Sequence, residues 1–451
     1  MRFILLFLSY LFAISAFSQT YDITQYGAEG DGKMLNTSQI QNTIDICHQK
    51  GGGTILVPAG TFLTGTLRFY SNQNLHLSPG AILLGSTNLA DYDTVHDQLI
   101  WGDSLENFSI TGTGTINGQG ETFFQKGTPT NPDKWTAKAR PEPWILFTNS
   151  RRIQVKEAQF VNSPAHVLVF IYCNELFVDN ISIRNDMRSP NTDGIDLKAC
   201  QDVMISNTFM ETGDDAICIK ARQGDVSNVV VTNCILASDD AAIKFGTGSK
   251  YRIRNCQFSN INIRDTRFGI ALFMGQGGTY ENSLFQNIII ETSSRRNIEY
   301  PIFVDIDKRT PEYPLGKIHN ITFKDMQITT RGQILIGGQA DANIRDIRLE
   351  NIALRLTGVT DHTKVEKKPR GNKNFKKISG MVDFSGKPAH LVFANVAGLT
   401  LHNIEVTPQF ESSSIRWDNF LFHQVKKVDI GRIKATTNLE TGFRASMEGT
   451  Y

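Results

Sequence analysis

Asn191-Thr192-Asp193-Gly194-Ile195-Asp196 is followed within the next coil-length of chain by Gly213-Asp214-Asp215-Ala216-Ile217-Cys218-Ile219-Lys220. Asp193 and Asp214 are 21 residues apart, and the stretch between them reads as short strands and turns with an apolar alternation at Val203 and Ile205. A spacing of roughly 20 to 25 residues is about one coil of a β-solenoid. Two carboxylates one coil apart then stand on neighbouring rungs, about 4.8 Å apart along the axis. Asp215 adds a third acid. Such a cluster suits acid/base work on a glycosidic bond, because crowding keeps a proton on one carboxyl while another stays ionised to activate water. Taken singly, each Asp or Gly would mark only a turn; it is the clustering across one coil that points to chemistry.

The solenoid has its own signature. A hydrophobic triplet followed by Asn recurs at Asn180, Asn207, Asn233, Asn255, Asn287, Asn351 and Asn403. Asn tolerates the left-handed backbone of a sharp bend between strands, and its amide can bond to the Asn one coil away. The first five are spaced by 27, 26, 22 and 32 residues, which predicts fixed strands joined by variable loops. Cys234 and Cys256 each follow an Asn, and are expected at equivalent positions on adjacent coils. The six cysteines lack the paired spacing of a zinc site, and a disulfide cannot be assigned from spacing. No cofactor or metal is predicted, although three acids could attract calcium.

Residues 1–18 read as a signal peptide: Arg2 is the charged head, Ile4 to Phe12 the apolar run, and Ala16-Phe17-Ser18 the small-residue cleavage site. The run is too short for a membrane span, so a secreted or periplasmic protein is expected. Lys and Arg number 46 against 45 Asp and Glu. That balance gives no hint of nucleic acid or membrane partners. The mature chain, 19–451, reads as one catalytic domain, expected to act as a monomer. Thr37 to Gln49 is predicted as an amphipathic helix, with Ile40, Ile44 and Cys47 on one face, Thr37 or Ser38 as N-cap and Gly51-Gly52-Gly53 as its stop. It would cap the first coil and cover an open edge. Residues 355–395 interrupt the pattern with a basic run, Lys364 to Lys377, read as an inserted loop; the coils resume at Leu399 and end near Ala435.

The opening Gly27-Ala28-Glu29-Gly30-Asp31-Gly32, then Gly51 to Gly65, then Gly80-Ala81-Ile82-Leu83-Leu84-Gly85-Ser86, resembles that of the polygalacturonase family, glycoside hydrolase family 28. The similarity continues through Ile110 to Gly120 and Asn162-Ser163-Pro164 to the two acidic motifs. It implies an all-β fold, a right-handed parallel β-helix, and an inverting hydrolase acting on a polysaccharide or oligosaccharide. It also implies that Asp214 is the general acid and that Asp193 and Asp215 deprotonate the attacking water. Asn191 would position a substrate hydroxyl or orient Asp193. Two motifs of the family are missing. Ala241 stands where a G-H-G histidine is expected, and Ala271 and Phe273 replace the two cations of R-I-K. Losing both cations removes charge-assisted bonds to an acidic sugar, so the expected substrate is a pectic or related plant or algal glycan other than plain polygalacturonan. Lys244 and Asp240 are candidate substrate contacts in their place, Lys244 alternatively being a salt-bridge partner of Asp239 or Asp240. Phe245 and Phe273 are better read as core than as a sugar platform. His166, Arg252, Lys308 and Arg309 are weaker candidates. A polysaccharide lyase on the same scaffold, or a non-catalytic carbohydrate-binding β-helix, are the alternatives.

Overall fold

The structure is a computed structural model and describes residues 19–133, 135–295, 298–339, 343–359, 389–409, 417–435 and 445–448. The leader and the Lys364 to Lys377 run lie outside the described residues. Strands pair in parallel with the strand one coil away, in three stacked sheets, giving a right-handed parallel β-helix. The first sheet carries Leu168–Ile171, Ile195–Lys198, Ile217–Lys220, residues 241–247 and residues 268–274 in succession. Helix α1, Thr37–Gln49, closes the N-terminal end and buries Ile40, Thr43, Ile44 and Cys47. Its cap differs from the expected one. Asn36 precedes the helix, and Thr37 Oγ1 instead accepts from Gly65 N–H at 2.8 Å.

Inward-facing positions stack in like columns. Phe69, Phe108, Phe147 and Phe170 follow one another at ring separations of 5.1, 5.1 and 5.8 Å. A column of this kind removes large apolar area from water at about 25 cal/mol per Å² and fixes register, since a one-residue slip would turn the ring outward.

The asparagine ladder is real but its membership differs. Asn233 Nδ2 donates to Asn207 at 3.3 Å, Asn260 to Asn233 at 3.2 Å and Asn287 to Asn260 at 2.7 Å, in steps of 26 and 27 residues. Asn255 belongs to a second ladder, donating to Asn228 at 3.2 Å, which donates to Asp202 at 2.7 Å. The coil is therefore regular from Asn207 to Asn287, where the uneven 22 and 32 came from mixing two columns; elsewhere its length varies as expected, with 45 residues from Ser109 to its partner Gln154 and 38 from Phe285 to Phe323. Cys234 pairs with Ile261 and Cys256 with Val229, so these cysteines are not equivalent either. The in-register cysteines are Cys173 and Cys200, next to the paired Ile171 and Lys198. All six are free thiols. The coils resume at Ala389–Ala394, ten residues before the expected point, and a further strand, Ala445–Glu448, pairs beyond Ala435.

Candidate active site

The acids gather at the entry to the first sheet. Ile195 pairs with Ile217, so two residues earlier Asp193 faces Asp215, and Gly194 N–H donates to the Asp215 carbonyl at 2.9 Å. The in-register partner of Asp193 is thus Asp215, with Asp214 one position before it. The turn that presents Asp214 is tightly held. Thr212 and Ser238 hydroxyls donate to its backbone carbonyl at 2.6 and 2.7 Å. A side chain at Gly213 would put a Cβ 2.0 Å from Ser189 O, so only glycine fits there.

Two largely buried lysines, their side chains 18% and 15% exposed, organise the charges. Lys220 Nζ donates to Asp193 Oδ2 at 3.1 Å and to both Asp196 oxygens at 3.0 Å. Lys244 Nζ lies 3.1 Å from Asp215 Oδ1 and 3.1 Å from Asp240 Oδ2, while Arg267 holds the other Asp240 oxygen at 3.1 Å. Burial alone would raise Asp196, but Lys220 and Lys198 hold it well below the ordinary carboxylate range. Burial would likewise discharge the lysines, and their carboxylates instead raise both above the usual ammonium value. The carboxyl oxygens of Asp214, Asp215 and Asp240 lie within 4.8 Å of one another. Asp214, which keeps some contact with solvent, is pushed well above the carboxylate range by burial and then by Asp193, Asp215 and Asp240. Burial lifts Asp215 to about 7 against the opposing pull of Lys244. Among the described residues, the groups that could hold a metal are these same acids, together with His166 and Cys218. In the triads of Asp214, Asp215 and Asp240 and of His166, Asp193 and Asp196, a lysine ammonium already bridges two of the carboxylates.

The expected residues divide accordingly. Asp193, Asp214 and Asp215 converge. Asn191 comes to Asp214 rather than to Asp193: its Nδ2 donates to Asp214 Oδ2 at 3.4 Å and its backbone is left-handed, φ 56°. Lys244 and Asp240 are in the cluster, and Lys244 pairs with Asp240, as one reading of it expected, and with Asp215. Sequence reasoning missed three groups, Asp196, Lys220 and Arg140, and named His166 only as a weaker candidate. Asp196 and Lys220 form one buried pair. His166 stands 3.6 Å from Asp193 Oδ1 through Nε2 and 3.6 Å from Glu142 Oε1 through Nδ1. Arg140 donates to Pro190 O at 2.8 Å and to Asn191 Oδ1 at 3.3 Å, pinning the turn that carries Asn191. Beyond the acids the floor changes character. Ala241 is fully buried, and Ala271 and Phe273 are 3% and 5% exposed, packed with Phe268, Tyr300 and Phe303 in a second apolar cluster. Phe245 is core.

The fold is a parallel β-helix, and it carries crowded carboxylates, one of them pushed well above the carboxylate range. The family model for glycosyl hydrolases family 28 matches residues 47–372, and the chain belongs to that family. It is 27% identical over 369 residues to a polygalacturonase of Chamaecyparis obtusa, covering 78% of this chain and 70% of that one. Among solved structures, an exopolygalacturonase from Thermotoga maritima matches with a TM-score of 0.64 at 20% identity, covering 76% of this chain and 88% of that one. The family 28 exopolygalacturonase of Yersinia enterocolitica matches with a TM-score of 0.62 at 18% identity, covering 92% and 78%. The chain is a polygalacturonase-like glycoside hydrolase.

Proposed function

We propose that this enzyme is an exported inverting hydrolase of a pectic or related glycan, and that the sugar bound over Ala271 and Phe273 is not a galacturonate. The observation that carries the reading is the Asp193, Asp214, Asp215 cluster set beside a floor from which both expected cations are gone. Asp214 gives its proton to the leaving glycosidic oxygen. A water attacks the anomeric carbon from the opposite face as that bond breaks, and its proton passes to the carboxylates. Asp215 is too close to Asp214 to hold a water with it alone, since an inverting pair spans about 6.5–9.5 Å. Asp193, which faces Asp215 from the neighbouring coil, shares the base role with it. The apolar run Ile4 to Phe12 supports export.

The test is a reducing-sugar screen of the mature chain on polygalacturonan, rhamnogalacturonan, and sulfated and neutral galactans, with Asp214→Asn in parallel. Release from a substrate other than polygalacturonan, abolished in the variant, is the expected result. Preferred cleavage of polygalacturonan would overturn the substrate assignment. Activity that survives in Asp214→Asn would overturn the acid assignment.

A further inference from the structure

Four arginines on the coils around the acids each meet a carboxylate: Arg140 with Glu142, Arg188 with Asp186, Arg267 with Asp240 and Arg295 with Asp239. Arg222 and Arg309 do not, among the described residues. Arg222 lies in the turn that follows Ile217–Lys220, two residues past the lysine that grips Asp193. Arg309 comes from the loop after Tyr300–Ile306, three coils on, and is anchored by its own N–H to Gly275 O at 2.8 Å. Despite that separation in sequence, the two guanidiniums converge over one residue, Gly248. A Cβ placed there would lie 3.5 Å from Arg222 Nε, 3.6 Å from Arg309 Nη1 and 3.3 Å from Gln276 Oε1. Gln276 is 6% exposed, and its Oε1 is buried without a hydrogen-bond partner.

A buried acceptor left unpaired costs free energy unless a ligand meets it. Two arginines without a carboxylate are suited to a planar anion. Gly248 puts no side chain between them, and the three nearest atoms that a Cβ there would meet belong to these polar groups. We propose that Arg222, Arg309 and Gln276 form a subsite for an acidic sugar, its carboxylate or sulfate held by the two guanidiniums and an adjacent hydroxyl donating to Gln276 Oε1. Asp214 and Asp215 precede the strand Ile217–Lys220 and Arg222 follows it, so the subsite stands at the other end of that strand, at most about 23 Å of chain from Asp215 at about 3.3 Å per residue. Recognition of acidity is thereby moved from Ala271 and Phe273 to the turns at that end. The inference rests on reading the groove as a glycan site and adds that the glycan carries a negative sugar away from the Ala271 and Phe273 floor.

The test is binding by calorimetry to the full mature chain carrying Asp214→Asn, so that no turnover intrudes. Trigalacturonate, its carboxyl-reduced neutral counterpart and a sulfated galactan trisaccharide are the probes. The parent should prefer an acidic probe to the neutral one, and the arm that binds more tightly separates carboxylate from sulfate. Arg222→Gln and Arg309→Gln should each weaken that probe by about tenfold or more and leave the neutral probe unchanged. Arg222→Lys should restore part of the loss, and an unchanged unfolding midpoint shows that the variants fold. Equal binding of charged and neutral probes by the parent, absence of binding by any charged probe, or preference unchanged in the double variant would overturn the subsite. Hydrolysis in the screen is read separately, so either conclusion can fail without the other.

Discussion

Lys244 places its ammonium 3.0 Å from the carboxylate of Asp215, one coil further along the solenoid. The pair holds the second water-facing acid nearer its ionised form than burial alone would allow, since burial raises Asp215 and Lys244 is the largest opposing influence. If Asp215 must be ionised, removing the ammonium lets its proton bind more tightly. Lys244→Met should therefore move the acid limb of the kcat/KM profile to higher pH by about one pH unit. A profile that merely falls in height, with its limb unmoved, would show that Lys244 acts on substrate instead.

The same crowding has a cost in stability. Asp214 takes up a proton more readily in the folded chain than in the unfolded one, so stability falls as pH rises above the ordinary carboxylate value. Asp214→Asn carries no such burden. It should unfold at a higher temperature than the parent at pH 7.5, and the difference should vanish near pH 3, where the carboxyl is neutral in both states. Melting curves at the two pH values decide this. A variant less stable at pH 7.5 would mean that the cluster's repulsion is already relieved by other partners.

Asp196 is fully buried against Lys198, 2.9 Å away, and Lys220. Asp196→Ala leaves Lys198 without that partner and Lys220 with Asp193 alone. Breaking a buried pair from one side costs about 3–5 kcal/mol, and a urea titration should show a loss at the lower end of that range because Asp193 still answers Lys220. A loss below about 1 kcal/mol, the worth of an exposed pair, would mean that solvent reaches the site.

Asn233 combines a left-handed backbone, φ 56°, with amide contacts to Asn207 and Asn260 on either side. Asn233→Ala loses both bonds and strains the turn, for a cost of about 2–3 kcal/mol. Asn233→Gly relieves the strain and keeps only the loss of bonds, so it should be the milder change. Equal losses in the two variants would rule out a backbone contribution.

What could be read from sequence follows from contiguity. Asp193, Asp214, Asp215 and Asn191 lie in two short motifs whose spacing matches one coil, and helix α1 carries its own period. The partners of those acids come from other coils, and which residue faces which depends on loop lengths that no local pattern states. Lys220 had a signal: Ile217-Cys218-Ile219-Lys220 repeats the alternation of Ile195-Asp196-Leu197-Lys198, and the two strands pair residue for residue. His166, at a strand entry, was legible only as a weaker candidate from its place after Asn162-Ser163-Pro164, and Arg140 had no signal, since it sits in an irregular loop 50 residues from its acceptor, Pro190 O. Asn255 and Asn260 look alike in sequence, and only the pairing of Asn260 with Asn233 separates the columns.

Nearly every contact that sets the acids' charge joins one coil to the next: Lys220 to Asp193, Lys244 to Asp215, Arg267 to Asp240. The turns between strands, other than the two that carry Asp193 and Asp214, can lengthen without moving those atoms, so those loops can be exchanged to reshape what the site admits. A single residue added inside Ile217–Lys220 would instead rotate the lysine toward the interior. For anyone grafting a new specificity onto this chain, the turns are the place to cut and the strands are not.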